Sequence, residues 1–145
     1  MMTHRKHLFV DSSSWISFLV KTDTNYQKAK SIFSSFDAKT ILYISSFIVN
    51  ETITKIRKML GQKEAFSLYK QFIVWEKEGS LVILSIEKES IDESMKLLQQ
   101  HPTPNTLSLT DATNIILMKK HHIPTLFSFD QDFKKLKIPH LRVLP

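Results

Sequence analysis

Four short apolar runs, HLFV (7–10), TILYIS (40–45), SLVILS (80–85) and PTLFSF (124–129), alternate along the chain with longer stretches of helical periodicity. This alternation constrains the fold more than any other feature. Strands buried on both faces read as continuous apolar runs, and a helical crossover between successive strands makes them parallel. Val49, Ile53, Ile56 and Leu60 recur at steps of 4, 3 and 4, which puts them on one face of a helix over 46–60. SSSWISFLV supplies serine caps and then a helix, and further helices are expected over 25–36, 62–78, 87–100 and 109–121. Gly79 interrupts the helix before it, the two prolines of HPTPNT mark a loop, and LRVLP closes the sheet as an edge strand. The pattern predicts an α/β fold with five strands and about six helices.

The 145 residues suit a single domain, 1–145, with its own core. The chain has no cysteine, which removes disulfides, thiolate zinc sites and cysteine nucleophiles together. The amino-terminal stretch MMTHRKHLFVDSSSWISFLV has basic and then apolar residues, as a signal peptide does. Asp11 and three serines interrupt the apolar run, however, and no small-residue cleavage site follows. No stretch approaches the length of a membrane span, so a soluble cytoplasmic protein is expected. Twenty Lys and Arg against 14 Asp and Glu give a net charge of +6, with clusters at KIRK (55–58), KKHH (119–122) and KKLK (134–137). Such a surface attracts polyanions, nucleic acid foremost, although each cluster alone also reads as a solvated helix face.

The acids are placed unusually. Nine of the 14 carboxylates lie in polar helical or turn settings; the other five are Asp11, Glu51, Asp111, Asp130 and Asp132. Asp11 ends the first strand, Asp130 and Asp132 follow PTLFSF, and Glu51 and Asp111 are expected in the opening turns of helices. In an open parallel sheet, strand carboxyl ends and helix amino ends share one edge, where ligands bind. Carboxylates converging there repel and raise one another's pKa unless a multivalent cation neutralises them. Hard oxygen donors without Cys or paired His favour Mg²⁺ or Mn²⁺ over zinc. Each acid alone also has a structural explanation. Ser108 and Asp111 in SLTD fit a capping box, Glu51 suits a helix amino end, and Asp11 and Asp130 fit strand-end turns. Four acids at one edge are harder to attribute to capping.

LFVDSSSWISFL, ISSFIVNET, LSLTDA and TLFSFDQDF, in this order, resemble the signature of PIN domains, especially of the VapC type, the ribonuclease toxins of toxin–antitoxin pairs. The resemblance runs from Leu8 to the last strand. It implies a three-layer α/β/α sandwich around a five-stranded parallel sheet in the order 3-2-1-4-5. It implies an acidic quartet of Asp11, Glu51, Asp111 and Asp130, with Ser12 and Ser128 as hydroxyl residues that orient carboxylates. Asp130 and Asp132 compete for the fourth role, because some members place the last acid in the DF position.

These residues suit phosphodiester hydrolysis. Two divalent ions about 4 Å apart can activate water, stabilise the phosphate and steady the leaving oxygen. Asp11, Glu51 and Asp111 would hold the principal ion, and Asp130 or Asp132, with Asp11, a second; single-stranded or loop RNA is the expected substrate. The resemblance further implies a VapB-like antitoxin partner. Trp15, Phe18, Phe33, Phe36, Tyr69, Phe72 and Trp75 exceed what one small sheet needs, and predict a groove for an antitoxin helix or a homodimer seam. Other readings are weaker. Gly61 and Gly79, the only glycines, form no phosphate-cradling loop, and His121 and His122 are adjacent and diverge on a helix. FDQDF is similar to the Asp-x-Asp of aspartyl-phosphate phosphatases but lacks the following Thr and leaves Glu51 and Asp111 unexplained. A non-catalytic PIN-like module would be expected to have lost at least one acid, and a housekeeping RNA-processing nuclease would share the same chemistry.

Overall fold

The structure, a computed structural model, describes residues 5–145; Met1–His4, the start of the basic amino-terminal stretch, lie outside the described residues. The chain runs β1 (Lys6–Val10), α1 (Ser12–Leu19), α2 (Tyr26–Ser34), β2 (Thr40–Ser45), α3 (Ser46–Leu60), α4 (Gln62–Glu78), β3 (Leu81–Leu84), α5 (Lys88–Gln100), α6 (Leu109–Lys120), β4 (Thr125–Phe127), α7 (Asp132–Lys135) and β5 (Arg142–Leu144). All four strand pairings are parallel and the sheet order is β3-β2-β1-β4-β5. The chain steps from β1 to β2 to β3, then crosses back over β1 to β4. Right-handed crossovers in opposite directions place their helices on opposite faces of a sheet. α1 to α4 therefore pack together on one face and α5 with α6 on the other, giving the three-layer α/β/α sandwich.

The expected strands and helices are all present, shifted at their ends by up to two residues. The run 124–129 is a strand only over Thr125–Phe127. Beyond it the Phe129 N–H donates to the Ser13 hydroxyl, so the chain leaves the sheet to meet a side chain. α7 is an additional four-residue helix, too short to carry a periodic signal. Gly79 ends α4 in the left-handed region at φ 82°, and the Ser80 N–H closes back on the Trp75 carbonyl at 3.1 Å. No described helix is long and apolar enough to cross a membrane.

Most of the aromatic excess goes into one cluster. Trp15 on α1 has ring centroids 5.1 Å from Phe33, 5.1 Å from Phe72 and 6.0 Å from Trp75. Phe33 in turn meets Phe127 of β4 at 5.2 Å. α1, α2, α4 and the sheet are thus joined by ring contacts that each add to simple area burial. Trp15 and Phe72 are fully buried, whereas Tyr69 stays exposed on the outer face of α4.

Truncating Phe72 to alanine is expected to cost about 3–5 kcal/mol, as for a buried aromatic with rigid neighbours. Urea unfolding of Phe72→Ala against wild type measures it. A loss under about 1 kcal/mol would show that this cluster is not a close-packed core.

Candidate active site

β1 lies between β2 and β4, and the chain leaves β1 toward one side and returns on the other. A crevice opens outside the carboxyl ends of strands at such a switch point. Asp11 follows β1 directly, and its N–H donates to the Phe127 carbonyl at 2.9 Å, so the strand ends of β1 and β4 are joined at the crevice floor. Ser128 and Asp130 continue from β4 into the same place.

Asp11 is the buried centre, 3% exposed. It occupies the N-cap position of α1, yet its side chain makes no capping bond to that helix. Instead Oδ2 accepts from Ser13 Oγ at 3.0 Å and Ser128 Oγ at 2.8 Å, while Oδ1 accepts from Asn114 Nδ2 at 3.2 Å. These side chains fill three of the roughly four acceptor sites of a carboxylate. Burial pushes the carboxyl pKa up, the hydroxyls of Ser128 and Ser13 pull it part of the way back, and the Glu51 charge raises it further.

Glu51 does not sit in the opening turn expected of it. α3 begins at Ser46, capped by the Ser45 hydroxyl, so Glu51 belongs to the second turn and has little claim on the helix amino end. Ser12 Oγ donates to Glu51 Oε1 at 2.8 Å and ties it to the residue after Asp11. Asp111 has two attachments at once. The capping box is real: the Ser108 N–H donates to Asp111 Oδ2 at 2.9 Å and the Asp111 N–H to Ser108 Oγ at 3.0 Å. No hydrogen bond among the described residues engages Oδ1. Burial drives the Asp111 pKa from 3.8 up to about 7; the Ser108 N–H opposes this, and the charges of Asp11 and Asp130 add to it.

The two acids after β4 part company. The Asp130 N–H donates to Ser128 Oγ at 3.1 Å, and Asp130 Oδ1 accepts from the Asp132 N–H at 2.9 Å. Asp132 is tied elsewhere: Thr106 Oγ1 donates to its Oδ2 at 2.6 Å, and Lys135 Nζ lies 3.5 Å from its Oδ1. Asp132 therefore fastens the loop before α6 to α7, while the charge of Asp130 reaches Asp111. Among the described residues no group of three or more acidic or histidine side chains stands close enough together to hold a metal ion. Hydrogen bonds and coupled charges nonetheless connect Glu51, Asp11, Asp111 and Asp130.

Two residues of this network were not anticipated. Ser13 bridges Asp11, Ser128 Oγ at 3.2 Å and the Phe129 N–H. Asn114, fully buried, reaches Asp11 from one turn beyond Asp111 and keeps its Oδ1 without a partner. A polar residue inside the apolar run NIILM was the available signal. The basic clusters are exposed; Lys134, Lys135 and Lys137 follow the Asp130 turn, whereas Lys119 to His122 lie at the far end of α6.

A family model described as the PIN domain matches residues 8–139. No curated protein sequence matches the chain. Among solved structures it is similar to VapC20 of Mycobacterium tuberculosis, a sarcin–ricin loop cleaving toxin, with 21% identity, a TM-score of 0.78, and 93% of this chain and 98% of that one covered. It is also similar to VapBC2 from Rickettsia felis bound to a DNA fragment from their promoter (14% identity, TM-score 0.66, 95% and 97% covered). A toxin–antitoxin complex from Klebsiella pneumoniae is similar at 18% identity and a TM-score of 0.63, with 92% and 94% covered. At these identities the likeness is one of fold.

The raised Asp111 pKa has a definite sign in stability. A carboxyl that holds its proton more tightly folded than unfolded is neutral in both states at low pH, and ionising it disfavours the fold. Its contribution is therefore lost as pH rises through the window from 3.8 to about 7. Asp111→Asn keeps an acceptor for the Ser108 N–H and removes the ionisation. In metal-free buffer the variant is expected to gain stability relative to wild type across that window and to match it below. Parallel stability–pH curves from urea unfolding would place Asp111 in the ordinary carboxylate range.

Proposed function

The chain belongs to the PIN domain family, and from that premise we propose that it is an Mg²⁺- or Mn²⁺-dependent endoribonuclease, the toxin of a VapBC-type toxin–antitoxin pair. The observation that carries this reading is the linkage of Asp11, Glu51, Asp111 and Asp130 at the carboxyl edge of β1 and β4, with the Asp111 pKa pushed up to about 7. Such crowding of acid is costly in a bare protein and useful to one that binds a cation.

The residues fit a hard divalent ion. Every donor is a carboxylate oxygen, the chain has no thiol, and acceptor capacity remains on Asp111 Oδ1. Asp11, Glu51 and Asp111 would hold the principal ion, and Asp130 with Asp11 a second. Bound ions would supply positive charge that lowers the pKa of the attacking water and offsets charge developing on the phosphate. The remaining work falls to the chain. Ser12 orients Glu51; Ser13, Ser128 and Asn114 fix the Asp11 carboxylate; the turn from Ser128 to Asp132 holds Asp130 in place. Asp132 acts through this turn and not as a ligand. Lys134, Lys135 and Lys137 are placed to attract RNA phosphates to the rim.

A toxin of this type needs a neutralising partner. A cavity of about 280 Å³ lined by Trp15, Phe18, Phe33, Phe36 and Trp75 supports docking of an antitoxin helix. Phe66 and Tyr69, exposed on α4, offer an apolar face that a second copy of the chain would cover. A cytoplasmic site of action follows from the RNA substrate.

Purified protein is expected to cut RNA with Mg²⁺ or Mn²⁺ and to stop in EDTA. Asp11→Asn and Asp111→Asn should lose nearly all cleavage while remaining folded. Asn114→Ala should lose about 10- to 100-fold, as supporting residues of a metal site do. Asp130→Asn should lose far more than Asp132→Asn, once both are corrected for folded fraction. Mn²⁺ should raise the melting temperature of the wild type and raise that of Asp111→Asn less. Cleavage that persists in EDTA, or in both Asp11→Asn and Asp111→Asn, would overturn the metal-nuclease reading. RNA binding without cleavage in either ion would make the protein a binding module.

A further inference from the structure

The sheet's amino-terminal edge carries the opposite charge to its carboxyl edge. Parallel register aligns Leu8, Thr125 and Arg142 in one row across β1, β4 and β5, with Val10, Phe127 and Leu144 two residues on and so on the same face. Phe127 meets Phe33 of α2 and Phe36 just beyond it, so this is the face that α2 covers. Past Phe36 the helical cover ends among the described residues, and the face opens into a trough of about 600 Å³. Leu8, Leu144 and Phe36 give it an apolar floor and wall, and Arg5, Lys6 and Arg142 stand at its mouth. All three cations are exposed, and no ion pair among the described residues engages them. No acid lines the trough. Asp37 feels Lys6, but its carboxyl is held low first by the Lys39 N–H. A second cavity of about 320 Å³ shares Pro124 with the trough and adds Lys119 and two histidines.

We propose that this trough holds single-stranded RNA flanking the cleaved segment, with phosphates on Arg5, Lys6 and Arg142 and a base against Phe36. The proposal rests on the nuclease reading and extends it to how substrate is held. A nucleotide strand presents an apolar ring and an anion at short spacing, and an apolar floor under a cationic mouth matches both. The volume lies within the range of sites that enclose small organic ligands. Lys6 and Asp11 stand at opposite ends of β1, five residues or about 16 Å apart, so a strand cut at one edge has only its flank to offer the other.

The test uses a fluorescein-labelled oligouridylate in EDTA, with anisotropy read across a salt series. Lys6→Gln/Arg142→Gln is expected to bind at least about tenfold more weakly at low salt. Its log–log salt slope should shrink by about 1.4, roughly 0.7 for each lost contact to single-stranded phosphate. Mn²⁺-dependent hydrolysis of bis(p-nitrophenyl) phosphate, too small to span the two edges, should not change. On the wild type, a 5-iodouridine oligomer should photocrosslink to the peptide containing Phe36, a readout that does not depend on how the variant folds. Unchanged affinity and slope, or crosslinks confined to residues near 128–137, would overturn the proposal. So would oligoglutamate binding that needs Lys6 and Arg142 while RNA binds both proteins alike, since the trough would then be a peptide site. Loss of oligomer binding with no diester hydrolysis even in wild type would sink the nuclease reading and leave the RNA contact standing.

Discussion

Asp11 is the constraint on which the site depends. A carboxylate removed from water must be matched by donors, and the donors come from three directions: Ser13 on its own helix, Ser128 after β4, and Asn114 on α6. Those bonds tie together the central strand, the strand that joins it last, and a helix whose residues from Asp111 to Met118 are all buried. The cost of placing acid at the sheet edge is offset by joining segments that would otherwise meet only through apolar packing. The same donors fix the orientation of the Asp11 carboxylate.

In the proposed site, the structural and the chemical role of Asp111 do not compete. Its two oxygens divide the work, Oδ2 closing the capping box with Ser108 and Oδ1 remaining without a hydrogen bond. Capping alone would be served as well by an exposed acid of ordinary pKa. Burial beside two other carboxylates adds nothing to a cap and weakens the charged form. The proposed cation site would use this strain, and such trade-offs are usual at functional sites.

The sheet was legible because each strand is a continuous apolar run between helical patterns, and the order of β1, β2 and β3 follows from sequential pairing. The return of β4 to the far side of β1 is not written in any local pattern; it came from family resemblance. α7 was missed because four residues cannot display a period. Glu51 was read into the opening turn, although the helix predicted over 46–60 already places it in the second. The acids were visible as carboxylates in apolar surroundings, but their orienting partners were not. Ser13 is one of three consecutive serines, and nothing local distinguishes the one that faces Asp11 and Ser128. Asn114 lies 103 residues from its acceptor, so its purpose appears only once the chain is folded. The separation of Asp130 from Asp132 depended on Thr106, in a loop whose course no periodicity describes.

The contact between Ser128 and Asp11 spans 117 residues. During synthesis the first acid emerges before its principal orienting partner by on the order of ten seconds at ordinary elongation rates. Before then β1 can pair only with β2, and Asp11 lacks its Ser128 donor. The carboxylate at the centre of the candidate site is therefore incompletely supported until the chain has been made as far as Ser128. For the proposed nuclease, this order delays competence until β4 has joined β1.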